Sequence, residues 1–540
     1  MGGGPVGMGL AIELGQRGIS VIVVERHQTP QPIPKGQNLT QRTMEHFHFW
    51  GIEQALRAIK QVPPGSGIGG LTKYGTLLSP HSHDWLQREL VRDFYFSANE
   101  RLPQYLTEQV LRARAAELAS VDIRYGWTCV GADQTEDRVE IRIRDTDGLD
   151  ETMLRGAYLV ACDGSRSTVR QAAGISQTLS DHEKLMALIV FRSDAFEDLV
   201  ARYPGKSFFN IIHPDLEGYW LFFGRVGARS DWFFHAPVPV EARDSGFDFT
   251  GYLHRAVGAA FDLTIDHVGF WDMRVAIADD YRAGRIFVAG DAAHSHPPYG
   301  GYGINMGFED ARNLGWKLDA ALCGWAGPHL LESYGRERRG VFTSVAHDFI
   351  EHSIERDRQF LQTYDPDADP ERFHAAWGDR AENAAREVAT FRPNYRGSAI
   401  VHGVPSGVCD AHGEHVYRAE AGQHLAPVTL SSGENVYAQL GSGFTLLAFG
   451  ADARDAAAFL HAAGALGIPL AVVSDSWAPP RTRYESRLIL VRPDQFVSWT
   501  GNAIGEGEAA AILRIAAGYA APAREDPLPA RMTGEAPIAV

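Results

Sequence analysis

The chain has 540 residues, which is more than one hydrophobic core usually organises, so we expect two or three domains. Hydrophobic residues make up 45% and charged residues 22%, which excludes a wholly disordered or collagen-like chain, and the formal charge of -16 argues against nucleic acid as the main partner. Four scattered cysteines without a C-x-x-C pair disfavour a disulfide framework or a zinc site, and the lack of a long apolar run predicts no membrane segment and a cytoplasmic location.

The first element is a glycine-rich turn. Gly2, Gly4 and Gly7 fit G-x-G-x-x-G, and the residues after them have the spacing of a helix and then a strand that ends at Glu25. In this arrangement the glycines let the backbone approach a pyrophosphate at the positive end of a helix, and Glu25 can accept hydrogen bonds from a ribose. The fingerprint predicts a dinucleotide site, with a purely structural glycine turn as the alternative.

Only Met1 precedes this turn, although such a turn should follow a buried central strand. A missing central strand would leave its neighbours without hydrogen-bond partners. We therefore expect that the first strand is truncated and that the natural chain begins several residues earlier.

Alternating strands and amphipathic helices up to about residue 385 predict an α/β fold. Residues 1–180 and 270–390 are expected to form one discontinuous domain, and 181–269 a β-rich insertion with strands at 186–192, 206–213 and 219–226 and a last one at 268–275. The insertion is rich in aromatic residues, which are more typical of core packing than of a substrate pocket, so none is predicted to be catalytic.

Residues 363–400 interrupt the periodicity, and a last α/β domain is predicted over 400–540. Its expected strands are 435–440, 444–449, 470–473, 487–492 and 496–499, and its expected helices are 451–463 and 508–517.

A second glycine-rich element follows the predicted strand 286–289. That strand delivers Gly290 and Asp291 to its carboxyl end, where open α/β sheets bind ligands. The later glycines at 300, 301 and 303 permit a backbone that lies against a planar ring, and the helix starting near Asn305 points amide donors at it. The alternative is a plain loop with Asp291 as a helix cap. His294 and His296 have no third ligand beside them, so we expect structural roles and no metal site.

Three motifs carry a family resemblance. They are the glycine turn, the run Y-L-V-A-C-D-G-S-R-S at 158–167, and G-R-I-F-V-A-G-D-A-A-H at 284–294 with P-P-Y-G-G-Y-G-I-N at 297–305. Together they resemble the class A flavoprotein aromatic hydroxylases, the group that includes para-hydroxybenzoate and phenol hydroxylases. The resemblance implies a Rossmann-like FAD-binding domain, an inserted β-sheet substrate domain, and a thioredoxin-like C-terminal domain that lacks C-x-x-C and serves packing or contacts in a homodimer.

The resemblance also assigns site residues. Gln37 and Pro298 are the expected catalytic residues: the Pro298 carbonyl is expected near the reacting edge of the flavin, and Gln37 is expected to face the substrate. The residues expected to bind FAD are Gly2, Gly4, Gly7, Glu25, Arg26, Arg42, Gln104, Asp163, Gly290, Asp291, Gly303, Ile304 and Asn305.

The activity implied by the resemblance is hydroxylation of a phenol-like ring by O2 through a flavin C4a-hydroperoxide, with NADPH or NADH as the transient reductant. In phenol-type relatives an acidic residue or histidine occupies the position of Gln37, which cannot take a proton. Gln37 is therefore expected to orient the substrate, or another residue acts as the base. The alternatives are an oxidoreductase of the same fold that inserts no oxygen, a flavin halogenase, whose W-x-W-x-I-P signature is absent here, and a flavin-binding protein without catalysis.

Overall fold

A computed structural model describes residues 1–60, 67–216, 218–227, 230–244, 246–404 and 407–519, and side chains throughout these ranges except at 181–184. The end of the predicted last domain, 520–540, lies outside the described residues. The helices are α1 (Pro5–Gly15), α2 (Gln41–Phe49), α3 (Glu53–Ala58), α4 (Gln104–Ala116), α5 (Thr168–Ala172), α6 (Asp194–Val200), α7 (Phe249–Val257), α8 (Tyr302–Leu322), α9 (Glu332–Ser344), α10 (His352–Thr363), α11 (Pro370–Thr390), α12 (Ala453–Leu466) and α13 (Glu508–Ala516).

The strands, in chain order, are β1 (Val21–Glu25), β2 (Asn38–Leu39), β3 (Gly69–Tyr74), β4 (Ser82–Trp85), β5 (Glu100–Arg101), β6 (Val121–Tyr125), β7 (Trp127–Gln134), β8 (Val139–Asp145), β9 (Glu151–Gly156), β10 (Leu159–Ala161), β11 (Gln177–Arg192), β12 (Lys206–Ile212), β13 (Trp220–Arg225), β14 (Asp231–Val238), β15 (Thr264–Ala278), β16 (Arg282–Ala283), β17 (Ile286–Val288), β18 (His294–Ser295), β19 (Phe391–Tyr395), β20 (Cys409–His412), β21 (Phe444–Phe449), β22 (Leu470–Asp475), β23 (Leu488–Val491) and β24 (Val497–Gly501).

The helix ends follow local chemistry. α1 starts with Pro5, whose missing N–H needs no partner at a first helical position. The hydroxyl of Thr40 caps α2, and the carboxylate of Asp452 caps α12 by accepting from backbone N–H groups that have no partner within the helix. α12 ends at Gly467, whose φ of 67° is left-handed and favours glycine.

The N-terminal part contains short parallel pairs around the first glycine turn. β1 pairs with β6, and β10 pairs with β17. Met1 and Gly2 lie between the two pairs: the Met1 ammonium donates to the Val160 carbonyl at 2.7 Å, the Met1 carbonyl accepts from Cys162 N–H at 2.7 Å, and Gly2 N–H donates to the Val24 carbonyl at 2.9 Å. The carboxyl ends of β1 and β10 therefore meet at the glycine turn.

Within the described residues, the largest sheet has eight strands in the order β18-β15-β11-β14-β13-β12-β3-β4, and we call it the large sheet. It includes strands far apart in sequence, because β12 pairs in parallel with β3. Alternation along each strand gives the sheet two apolar faces. One face packs on α6 and α7 through residues such as Phe191, Phe223 and Phe234, and the other faces the N-terminal domain.

The last unit is built on the order β22-β21-β23-β24, with α12 and α13 packed against it. The predicted strand 444–449 is confirmed as β21, and those expected at 470–473, 487–492 and 496–499 are confirmed with small shifts. The strand predicted at 435–440 is wrong, because Val436–Gln439 forms a 3-10 helix whose first turn Asn435 caps through its side chain.

Buried ion pairs join this unit to the N-terminal domain. Arg492 Nη1 lies 2.7 Å from one oxygen of Glu337 in α9, and Lys317 of α8 lies 2.7 Å from the other. The last unit therefore packs on the N-terminal domain through buried charges. No helix in the described part of the chain is both long enough and apolar enough to cross a membrane.

Candidate active site

The glycine turn after Met1 leaves no room for side chains on its inner side. Gly2 has a φ of 93°, and a Cβ there would lie 2.2 Å from the Cys162 carbonyl oxygen. A Cβ on Gly7 would lie 1.9 Å from the Gly2 carbonyl oxygen, whereas one on Gly4 would meet no atom within 4 Å. Gly4 thus marks an open side of the turn, where the unpaired amides of the first turn of α1 can receive an anion.

Glu25 lies at the carboxyl end of β1 and is buried. Its carboxylate accepts from Gly3 N–H at 2.7 Å and from His27 N–H at 2.8 Å, which holds it rigidly beside the turn. A carboxylate has about four acceptor positions, so capacity for ribose hydroxyls is left. Arg26 is exposed, and its Nε lies 3.1 Å from the His27 ring.

The start of α8 meets the start of α1 at the second glycine turn. Gly290 has a φ of 59°, and a Cβ there would lie 2.9 Å from the Val6 side chain. Gly307 in α8 is also closely packed, because a Cβ added there would lie 2.5 Å from the Val6 side chain. Two helix N-termini therefore lie near Asp291, which comes directly after Gly290.

Asp291 follows Gly290 and lies at the protein surface. Its side chain is exposed and has no hydrogen-bond partner among the described residues, while the protein around it raises its pKa above the usual value by desolvation. A ligand with hydroxyl groups would satisfy this carboxylate. Those hydroxyls are what the ribityl chain of a flavin offers, so the residues present fit the predicted cofactor.

Asp310 of α8 holds the turn in place, a role that the sequence analysis did not predict. One oxygen accepts from Gly290 N–H at 2.8 Å and contacts His294 Nε2 at 2.7 Å, and the other accepts from Arg338 Nε at 2.7 Å. Although burial would raise the pKa of Asp310, His294 and Arg338 hold it below the usual value. His294 thus belongs to this network.

Gln37 is buried, and neither the oxygen nor the nitrogen of its side-chain amide has a partner in the part of the chain that the structure describes. Its backbone carbonyl accepts from Leu102 N–H at 3.0 Å. Next to it, a Cβ on Gly36 would lie 3.1 Å from Ile304 at the start of α8. An unpaired buried amide is costly unless a ligand satisfies it, so Gln37 is the strongest candidate for a substrate contact.

Gln104 and Asn305 position this region. The Gln104 side-chain oxygen accepts from Gly36 N–H at 3.2 Å, and its nitrogen donates to Glu108 at 2.8 Å. The Asn305 amide donates to the Asn38 carbonyl at 2.7 Å. These contacts fix the loop around Gln37 against the first turn of α8, where Gly303 and Ile304 present free backbone N–H groups.

The side chains of Arg42 and Asp163, both predicted to bind FAD, make their hydrogen bonds within the protein, and their contact with the cofactor stays a prediction. All five N–H donors of Arg42 are used within the protein, by Glu309, Glu45, Gln495 and the Asp494 carbonyl. We therefore assign Arg42 to the ion network that joins α2, α8 and the last unit.

Asp163 is occupied locally. Its carboxylate accepts from the Ser167 hydroxyl at 2.5 Å and from the backbone N–H groups of Thr168 and Val169 at 3.0 and 3.3 Å. It caps the start of α5 and shapes the D-G-x-x-S turn, whose backbone lies against Gly2.

Pro298 lies half-buried in the loop between β18 and α8. The next residue, Tyr299, packs on Trp220 with ring centroids 4.9 Å apart and approaches Trp85 at 6.3 Å. The loop therefore connects the Gly290 turn to the large sheet, and Pro298 lies between them.

The face of the large sheet toward this loop is aromatic, and we call it the aromatic face; its members are Leu188, Phe208, Phe222, Phe233, His235 and Trp271. Neither ring nitrogen of His235 has a partner within the described ranges, and burial lowers its pKa to about 3, so the ring is neutral. Strand β14, which carries Phe233 and His235, was missed in the sequence, although its alternating residues were a usable signal.

Comparison with known proteins supports the same site. Residues 1–348 match the protein family described as FAD binding domain. The chain is 31% identical over 539 residues to 4-methyl-5-nitrocatechol 5-monooxygenase from Burkholderia sp, and the match covers 95% of each protein.

Two solved structures extend the likeness. The rebeccamycin biosynthetic enzyme RebC with reduced flavin has a TM-score of 0.81 at 27% identity, with 96% of this chain and 98% of that chain covered. The flavin-dependent monooxygenase PieE in complex with FAD and substrate has a TM-score of 0.79 at 25% identity, with 96% and 97% covered. The predicted α/β FAD-binding fold is confirmed.

Proposed function

We propose that this chain, which belongs to the FAD binding domain family of class A flavoprotein aromatic hydroxylases and is an FAD-dependent monooxygenase, hydroxylates a phenol-like ring. The reductant we propose is NADH or NADPH, as is typical of the family. The observation that carries the proposal is the unpaired, buried amide of Gln37 beside the start of α8.

The chain's own residues divide the work of holding FAD. The amides after Gly4 would receive the pyrophosphate, Glu25 the ribose and Asp291 the ribityl hydroxyls, while the first turn of α8 would donate to the flavin ring. When bound, FAD would supply the redox chemistry by which NAD(P)H activates O2 for transfer of one oxygen atom. The balanced reaction replaces a ring C–H by C–OH, releases the second oxygen as water and oxidises one NAD(P)H.

The substrate would lie between the aromatic face and the loop that joins β18 to α8. Apolar rings such as Phe222 and Phe233 exclude water, which otherwise competes for activated oxygen. Gln37 can donate from its nitrogen to a phenolate oxygen or accept a phenol proton in a hydrogen bond at its oxygen, but it cannot remove that proton. Its role in the proposal is orientation of the ring, which places the reacting carbon at the flavin.

The relative from Burkholderia sp supports a phenolic substrate, because a nitrocatechol is a phenol. The test is a screen of phenols, catechols and larger phenolic polyketides with the FAD-loaded protein. We expect at least one compound that stimulates NAD(P)H oxidation, consumes O2 and gains one oxygen atom by mass spectrometry.

The same screen discriminates the alternatives. Turnover without O2 consumption would indicate a non-oxygenating oxidoreductase, and a product that appears only with added chloride or bromide would indicate a halogenase. A protein that binds FAD but oxidises no NAD(P)H with any compound would contradict the proposed activity.

A further inference from the structure

Arg101 is a buried cation without an acid. It lies in β5, which pairs with β2 directly after Gln37, and only 4% of the residue is exposed. Its Nε and Nη2 atoms have no hydrogen-bond partner among the described residues, and no carboxylate there lies within ion-pair distance of it.

Among the described residues, the buried arginines Arg88, Arg170 and Arg392 also lack a carboxylate partner, but their guanidinium groups donate to backbone carbonyls, whereas that of Arg101 donates to none. Buried Arg338 pairs with Asp310 at 2.7 Å, and buried Arg492 pairs with Glu337 at 2.7 Å. Burial, with a smaller contribution from the nearby cation of Arg225, lowers the pKa of Arg101 to about 9. An uncompensated buried charge costs free energy, so its retention at this place calls for an anionic partner.

The guanidinium faces the proposed substrate space. It lies over the Phe208 ring at 4.8 Å from the centroid. A Cβ on Gly224 in β13 would lie 2.5 Å from Arg101 Nη2 and 2.3 Å from Phe233 Cε1. A larger residue at this position would therefore clash with the Arg101 guanidinium and the Phe233 ring. Both rings belong to the aromatic face. Arg101 therefore lies against the aromatic face, on the strand that pairs with β2 next to Gln37.

We propose that Arg101 binds an acidic oxygen of the substrate, so that the enzyme takes its aromatic substrate as an anion, as a phenolate or an arene carboxylate. This inference rests on the proposed function. A guanidinium forms strong charge-assisted hydrogen bonds to an anionic oxygen and lowers the pKa of a bound phenol. It therefore offers an answer to the missing base at Gln37: an acidic phenol bound beside Arg101 has already released its proton.

The test uses the FAD-loaded protein without NAD(P)H and two probes of similar shape. 4-Nitrocatechol is acidic and changes its visible absorption on ionisation, whereas 4-methylcatechol is a weak acid and stays neutral near pH 7. We expect 4-nitrocatechol to bind more tightly than 4-methylcatechol and to show the spectrum of its anion at a pH at which the free probe is mostly neutral.

Variants assign the effect to Arg101. Arg101→Met should weaken 4-nitrocatechol binding by roughly 10- to 100-fold, the contribution of one charge-assisted hydrogen bond, and change 4-methylcatechol binding little. Arg101→Lys should retain part of the preference. Arg392→Met is the matched control: Arg392 in β19 is as buried but donates to the backbone carbonyls of Glu414 and His424, so the preference for the anion should be unchanged.

Several results would overturn the proposal. One is a bound probe with the spectrum of the neutral form. Another is binding of 4-nitrocatechol by the unsubstituted protein that is no tighter than its binding of 4-methylcatechol. The third is an Arg101→Met variant that loses FAD but still prefers 4-nitrocatechol. The spectrum of 4-nitrocatechol bound to the unsubstituted protein tests whether the anion is bound, even if Arg101→Met does not fold. Binding is measured without turnover, so anion binding with no hydroxylation would reject the proposed function and leave this inference standing.

Discussion

At the scale of single residues, the candidate site contains polar groups that have no hydrogen-bond partner among the described residues. Asp291 and Gln37 are two of these groups, and both were predicted from sequence because each lies within a local motif. The contact of Arg42 with Glu309 in α8 was not predicted, because no local pattern shows a contact between residues so far apart in sequence. Arg101 was not predicted as a site residue for a related reason. The sequence does not show that its guanidinium is buried without a carboxylate partner.

Replacing Asp291 with alanine tests its proposed role. We expect FAD affinity to fall by roughly 10- to 100-fold, because a charged acceptor for hydroxyl groups is removed. The measurement is FAD retention in equilibrium dialysis, with Asp147→Ala in an exposed turn as the control. Equal FAD affinity in both variants would show that Asp291 does not contact the cofactor.

Gln37→Ala tests substrate orientation. FAD should stay bound, while productive turnover falls by roughly 10- to 100-fold and hydrogen peroxide replaces product, because the ring is no longer held for transfer. The readout is hydroxylated product per NAD(P)H oxidised. Gln37→His, which introduces a group able to take a proton, should recover part of the coupling with weakly acidic phenols. A product yield that neither substitution alters would place Gln37 outside the substrate site.

At the scale of elements, strands with regular alternation were predictable and long-range pairings were not. The strand 444–449 was predicted with its observed bounds, whereas the pairing of β12 with β3 joins segments about 140 residues apart. The convergence of α1 and α8 could be expected from the glycines, but the residues that hold it, Asp310 and Arg338, become visible only in three dimensions.

Glu13 shows how α1 is tied to α8. Its carboxylate pairs with Arg312 of α8 and with Arg17 at 2.7 Å, and it accepts from the Trp50 indole at 2.8 Å. Although burial would raise the pKa of Glu13, the two arginines lower it to about 2. A carboxylate with a lowered folded-state pKa contributes stability above its ordinary value of 4.5, and this contribution is lost as the pH falls from 4.5 toward about 2.

We therefore expect Glu13→Gln to lower the free energy of unfolding at pH 7, and this deficit to shrink as the pH falls below about 4.5. Denaturant unfolding at several pH values measures it. Glu117→Gln, which removes an exposed partner of Arg114, should change little at any pH. A deficit for Glu13→Gln that stays constant with pH would mean that the carboxylate is not responsible.

At the scale of the whole molecule, the last unit is bound to the N-terminal domain by charges that are fully buried. Arg492 contacts Glu337 and Asp494, and Arg42 reaches the same segment through the Asp494 carbonyl at 2.5 Å. Glu337 has a pKa well below the usual value because Arg492 and Lys317 outweigh the effect of burial. Lys317 lies in α8, so the helix whose first turn is expected to contact the flavin also takes part in anchoring the last unit.

Arg492→Met should destabilise the protein by about 3–5 kcal/mol, because it leaves Glu337 and Asp494 buried with too few positive partners. Thermal unfolding of the FAD-loaded protein measures the effect, and exposed Arg454→Met is the control. An unfolding temperature for Arg492→Met equal to that of the control would contradict the role assigned to this network.

The most direct test of the central claim, monooxygenation of a phenol-like ring, is isotope labelling. FAD-loaded protein, NAD(P)H and the best phenol from the screen are incubated under 18O2, and the product is analysed by mass spectrometry. The account predicts one 18O atom per product molecule and none when the label is supplied as water. Product without label from O2, or with label from water alone, would contradict it.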